Sequence, residues 1–345
     1  MKQNRLQDVF LGLVTLAVTV VILYGVCEVA VRLFVDNGMN FNIEMWKYAR
    51  DVKQRSTDPL IGHEHRANAH SFLMGVDVAT NAEGHRDREI PVARQPGVGR
   101  IVMLGDSFIE GWGVPFEDTI SKRLEKLFDK AGEKVEVMNT GVGNYNTIME
   151  VEAFLTRDAK FKPDMVVLNY TFNDAEPVPS YGSTNFLARN SEAAVFLVGG
   201  MDSILRLFGE KKTWDKYYLG LYDTPGWPAA KAAIHKLADY CRENKIKLMI
   251  VNWPELHDVN NYRLQKITDL LHGVADAEKV PFVDLLNSVK GQEPSKLWVT
   301  APDPHPNAYA NELYANYLFP FLKEEMGKPA SREPIASGAL SRAGG

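Results

Sequence analysis

From residue 101 onward the chain alternates short apolar runs with amphipathic helical stretches, and that rhythm restricts the fold more than any other feature. Ile101–Leu104 predicts a buried strand and Glu117–Lys130 an amphipathic helix. Val135–Met138 predicts a second strand, with a helix near Thr147–Arg157, and Met165–Asn169 a third strand. An insertion of about 50 residues, rich in aromatics and glycine, then precedes helix Ala229–Asn244 and strand Lys247–Asn252. Helix Tyr262–Ala277, strand Phe282–Leu285 and a last helix near Ala308–Glu325 complete the pattern. Strands that are apolar on both faces and separated by helices require a parallel sheet covered on both sides.

The amino terminus carries a different signal. Val9–Cys27 is a run of 19 residues without a charge. At about 1.5 Å per residue it spans roughly 29 Å, the hydrocarbon thickness of a bilayer. The run exceeds a usual signal-peptide core and no small-x-small cleavage site follows cleanly, so an uncleaved signal anchor is expected over 1–35, with its membrane span at about 9–31. Lys2 and Arg5 precede it, which favours an inside amino terminus. The remainder would then lie outside the cytoplasm, in the periplasm of a bacterium. Residues 36–98 predict a small β-containing appendage, 99–327 the α/β domain and 328–345 a disordered tail. With 39 basic and 44 acidic residues, the net charge is −5. There is no basic block of the kind a nucleic-acid binder needs. Two cysteines, Cys27 and Cys241, exclude a disulfide framework.

In a doubly wound sheet, ligands bind at the carboxyl ends of the strands. Those ends carry Gly105-Asp106-Ser107-Phe108, Asn139-Thr140-Gly141-Val142-Gly143-Asn144 and Tyr170-Thr171-Phe172-Asn173-Asp174, while Pro302-Asp303-Pro304-His305-Pro306-Asn307 precedes the last helix. A hydroxyl, backbone donors in a Gly-rich turn, a carboxamide and an Asp/His pair are the parts of an acyl-transfer site. Asp303 and His305 each precede a proline, which favours extended backbone and projects both side chains to one side. The carboxylate would then fix the imidazole tautomer, with the other ring nitrogen facing Ser107.

This combination resembles the SGNH (GDSL-type) hydrolase family over roughly residues 99–325. The resemblance implies a flavodoxin-like three-layer αβα sandwich and serine-dependent ester chemistry with neither metal nor nucleotide cofactor. It implies Ser107 as nucleophile and one oxyanion donor, His305 as base and Asp303 as its orienting partner. A backbone N–H of Gly143 or Asn144 and the side chain of Asn173 would be the further oxyanion donors. Thr171 stands where the family usually has glycine, and the final block is one residue shorter than the usual D-x-x-H. No Gly-x-Ser-x-Gly elbow, phosphate loop or His-Glu-x-x-His motif is present.

Other residues have plainer readings. His63, His65 and His70 match no helical zinc spacing and predict an exposed polar loop. Glu255 and His257 reach the same rim and are expected to line the pocket or cap a loop, with a competing base as the rival reading. Arg86 reads as part of a surface turn, with an anion contact as the rival reading, and Trp112 as core, with sugar stacking as the rival. Trp214, Tyr217, Tyr218, Tyr222 and Trp227 predict core packing rather than a lid or glycan platform. The expected function is an extracytoplasmic serine esterase acting on an acylated small molecule, glycan or lipid, with cell-surface polysaccharide a plausible substrate. An O-acyltransferase of the same fold is the first alternative, and a non-catalytic glycan-binding or assembly component the second.

Overall fold

The structure, a computed structural model, describes residues 2–179, 186–208, 213–300 and 303–328; the side chains of 2–6, 188, 202–208 and 303 lie outside that description. From residue 329 on, the expected tail also lies outside it.

Helix α1 (Lys2–Ala30) runs into a π-turn at Val31–Val35, and α2 (Phe41–Asp51) follows, capped by Asn40. Strands β1 (Lys53–Arg55) and β2 (His63–His65) form one hairpin, β3 (His70–Leu73) and β4 (Val76–Ala79) another. Next come β5 (Gly99–Leu104), α3 (Ser107–Glu110), α4 (Ile120–Lys130), β6 (Val135–Asn139), α5 (Thr147–Thr156) and β7 (Met165–Tyr170). The insertion contributes α6 (Phe186–Asn190), α7 (Glu192–Phe208) and α8 (Trp214–Leu221). The chain closes with α9 (Gly226–Asn244), β8 (Lys247–Asn252), α10 (Gln265–Glu278), β9 (Phe282–Asp284), α11 (Leu286–Val289), β10 (Trp298–Thr300), β11 (Asp303–Pro306) and α12 (Ala308–Gly327).

Five strands form a parallel sheet in the order β6-β5-β7-β8-β9. Every residue of β7 is buried, as a strand covered on both faces must be. Helices α4 and α12 pack against each other, as α5 does with α9. In α4, Ile120, Leu124 and Phe128 recur every fourth residue and are all buried, giving the helix one apolar face toward the core. The three-layer α/β architecture anticipated from the alternation is therefore present. The connection leaving β5 goes to β6 on one side, whereas that leaving β6 crosses back to β7 on the other. The carboxyl ends of β5 and β7 thus flank the topological switch point, where such sheets open a crevice.

The segment 36–98 contains two hairpins and also helix α2, which its polar character concealed. Tyr48, Val52, Leu73, Met74 and Val78 form a second core that closes over Trp112. Trp112 is therefore core.

Candidate active site

Gly105 makes a tight turn after β5, because a Cβ there would come within 2.2 Å of Ile109 Cγ1. Asp106 caps the short helix that follows, its Oδ1 accepting from the Phe108 N–H at 2.9 Å. This turn brings Ser107 to the sheet rim. His305, 198 residues away in sequence, arrives on β11, and its Nε2 lies 2.8 Å from Ser107 Oγ. The imidazole is walled by Phe108, Phe41 and Trp112, with ring centroids 5.2, 6.3 and 6.4 Å away. Asp303 opens the same strand; its side chain lies outside the described residues.

The turn after β6 is held from behind by the appendage. Gly143 N–H donates to Tyr48 Oη at 2.9 Å, and Tyr48 Oη lies 2.6 Å from His65 Nε2. His65 Nδ1 lies 2.9 Å from the Gly84 carbonyl. A carbonyl only accepts, so His65 is the Nδ1–H tautomer and its Nε2 accepts a hydrogen bond from the Tyr48 hydroxyl. The Gly143 carbonyl accepts from Lys53 Nζ at 2.5 Å and from His63 Nε2 at 3.0 Å, and Lys53 also reaches Asn144 Oδ1 at 3.0 Å. A Cβ on Gly143 would meet the Tyr48 ring at 2.7 Å. Burial pushes the Lys53 ammonium down to about 7, against the pull of the Glu110 carboxylate. Burial and the Lys53 charge push His63 down to about 3, which keeps it neutral.

One open choice is narrowed here and one expectation is corrected. Gly143 faces the appendage with its N–H engaged, which leaves Asn144, at φ +63°, as the candidate donor of that turn. His63 and His65 are buried struts rather than an exposed loop, and only His70 is exposed, beside Asp77. No group of metal-binding spacing occurs among the described residues.

After β7, Thr171 Oγ1 lies 2.7 Å from Asn173 Oδ1 and 3.0 Å from both Asp106 Oδ2 and Asp174 Oδ1. The hydroxyl has one proton to give. Burial and the neighbouring Asp106 charge raise Asp174 well above the carboxylate range, and Thr171 Oγ1 is the donor within reach of both its Oδ1 and Asn173 Oδ1. Asn173 Oδ1 is thereby turned toward Thr171. The Asn173 amide donates to Asp106. Glu150, buried behind this group, is also raised well above its usual range by burial, then by Asp174 and Asp106.

Arg86 is 1% exposed and donates to the carbonyls of Glu110, Gly111, Asp77 and Val114. It is not a surface turn; buried among these carbonyls and facing the Glu110 carboxylate, it fastens the appendage to the loop behind Ser107. His257 is hydrogen-bonded to Glu255 and stacked on Trp214, a capping arrangement. Tyr218 packs on Phe172, and Tyr222 joins Tyr170 through their hydroxyls, so these insertion aromatics serve the core.

The model of the GDSL-like lipase/acylhydrolase family matches residues 103–313, a stretch containing Ser107, Asn173 and His305. The chain belongs to this family. As a GDSL-like acylhydrolase it is a serine hydrolase of ester bonds. Among solved structures, TesA is 16% identical with a TM-score of 0.45, covering 65% of this chain and 98% of its own. The lipase/acylhydrolase from Enterococcus faecalis is also 16% identical, with a TM-score of 0.42, covering 68% of this chain and 100% of its own. A two-domain esterase (CEX) active on acetylated mannans is 15% identical with a TM-score of 0.43, covering 69% of this chain and 52% of its own. No curated protein matches the sequence.

The residues that sequence reasoning missed are Tyr48, Lys53 and Phe41. Asn40 at the N-cap position, with Glu44 in the first turn, was a helix signal; nothing local marked Lys53 as a partner of Gly143.

Proposed function

We propose that Ser107, His305 and Asp303 form the catalytic triad of a membrane-anchored, extracytoplasmic esterase. The 2.8 Å approach of Ser107 Oγ to His305 Nε2 carries this reading. His305 takes the hydroxyl proton as Ser107 Oγ bonds to the ester carbonyl carbon, and the carbonyl oxygen becomes an oxyanion. The N–H groups of Ser107 and Asn144 and the Asn173 amide stabilise that charge. His305 then protonates the departing alkoxide as the C–O bond breaks. Water, deprotonated by His305, adds to the acyl carbon; the bond to Ser107 Oγ then breaks, His305 returns the proton to that oxygen, and the acid is released. Asp303 keeps the imidazole in the acting tautomer.

Support for the anchor comes from α1 and the π-turn after it: the apolar helix Gln7–Val35 has 29 residues and is long enough to cross a bilayer. The domain boundaries 1–35, 36–98 and 99–327 follow from the same reading, with 36–98 as the brace of the site. With the amino terminus inside, the site faces acylated polysaccharide at the cell surface, the substrate class we assign.

The test is labelling with a fluorophosphonate probe. The native protein is expected to label and Ser107→Ala to lose the label; labelling that survives the substitution overturns the assignment. Insertion of the full chain into the cytoplasmic membrane, with protease access to the catalytic domain only from the periplasmic side, checks the topology.

A further inference from the structure

Helix α7 belongs to the insertion between β7 and α9 and has no part in the site chemistry. Its first turn is fastened to the end of the apolar helix. Glu28 accepts from Ser191 Oγ at 2.6 Å and from the N–H groups of Ala193 and Glu192 at 3.0 and 3.2 Å. Tyr24 bonds the same Ser191 hydroxyl, and Arg32 bridges Glu28 and Glu192 at 2.6 and 3.2 Å. Ala193 is buried with Val31 and Ile43, and Phe196 packs beside them. A Cβ on Gly199 would lie 2.4 Å from Asn42 Nδ2, so α7 also runs close against α2.

One side of α7 is thus committed to α1 and α2. The other is apolar and uncovered. Ala194, Leu197, Val198 and Met201 fall at i, i+3, i+4 and i+7, the spacing of a single helical stripe. Leu197, Val198 and Met201 are 51%, 64% and 58% exposed, and Phe186 just upstream is 74% exposed. A protein in water rarely leaves such a stripe bare.

Its depth follows from the span. The uncharged run ends at Cys27, so Glu28 is the first charged residue at the hydrocarbon boundary. The hydrogen bonds to Glu28 therefore fix the start of α7 at that boundary. The apolar surface of the first helix also continues past Glu28, with Leu33 and Phe34 68% and 82% exposed. The full 29-residue helix is about 43 Å long, more than the roughly 30 Å hydrocarbon layer, so it tilts or carries its last turns into the headgroup layer.

We infer that α7 lies in the lipid interface beside the anchor, with Leu197, Val198 and Met201 in contact with acyl chains, so that the bilayer surface is the partner of this face. The inference rests on the membrane-anchored reading above and adds a second, peripheral contact to it. An amphipathic helix seated this way buries its apolar side some 5–10 Å into the headgroup–acyl boundary.

The test uses the full chain in nanodiscs of phosphatidylcholine and phosphatidylglycerol, in a Cys27→Ser, Cys241→Ser background. An environment-sensitive NBD fluorophore is placed singly on Val198→Cys and, as the reference for the span, on Leu16→Cys. Retained fluorophosphonate labelling shows that each variant is folded. The expected result is blue-shifted emission from position 198 that is quenched by lipids carrying a shallow doxyl group and spared by aqueous iodide. If position 198 is quenched by iodide while position 16 is quenched only by lipid, the inference falls and the anchor stands. If both positions are open to iodide, the anchored reading itself fails.

Discussion

Lys53 Nζ donates to the carbonyl oxygen of Gly143 across 2.5 Å, joining residues 90 positions apart. The backbone turn that carries Asn144, the proposed oxyanion donor, is thus held by a side chain from outside the sheet. Lys53→Met keeps the apolar stem and removes the donor. We expect kcat to fall about tenfold or more with KM little changed, since sub-ångström misplacement of catalytic groups is costly. Steady-state kinetics on a short-chain ester checks this, and an unchanged kcat would mean that Tyr48 holds the turn alone.

Asn173 and Thr171 separate in the same assay. Asn173→Ala removes the donor we propose for the oxyanion, and losses of that kind run at about 10²–10³ in kcat. Thr171→Val leaves the amide in place without the hydroxyl that orients it over 2.7 Å. A smaller loss, about tenfold, is expected. Equal losses would show that orientation matters as much as the donor.

Glu150 gives a stability test with a defined sign. Its folded-state pKa is raised by burial and by Asp174 and Asp106, so above its unfolded value near 4.5 the native state binds more protons than the unfolded one. Stability then declines as pH rises through that range. Glu150→Gln removes the titration, and Tm is expected to rise relative to the native protein by about 2–4 °C for each kcal/mol recovered. The gain should vanish below about pH 4. A gain that persists at low pH would assign the effect to packing.

Arg86 serves four carbonyls from a fully buried position and faces Glu110 at 3.7 Å. Arg86→Met leaves those carbonyls and a carboxylate without their cation, a change that costs about 3–5 kcal/mol. Chemical denaturation should show the loss in the transition midpoint. A near-native midpoint would mean that Glu110 is already neutral and the carbonyls find water.

The alternation of strand and helix was legible because each buried strand and each helical stripe is a local pattern. The meeting of Ser107 with His305 was legible because one follows a strand end and the other sits in a proline-fixed segment. The brace was not. His63 and His65 look like ordinary loop polar residues until a tyrosine hydroxyl and a glycine carbonyl, far away in sequence, supply their partners. Arg86 misled for the same reason: a guanidinium that ends among carbonyls leaves no charge pattern nearby to announce it. Gly143 and Asn144 could be separated only by seeing which amide Tyr48 occupies.

Phe41 stands against His305 and is only six positions beyond Val35, where the apolar helix ends. Six residues reach about 20 Å at most. With that helix embedded as proposed, the leash is so short that the catalytic imidazole works at one fixed height over the lipid. Only esters carried to that height, on chains rooted in or lying along the same surface, would be sampled, and freely dissolved ones would meet the enzyme by chance.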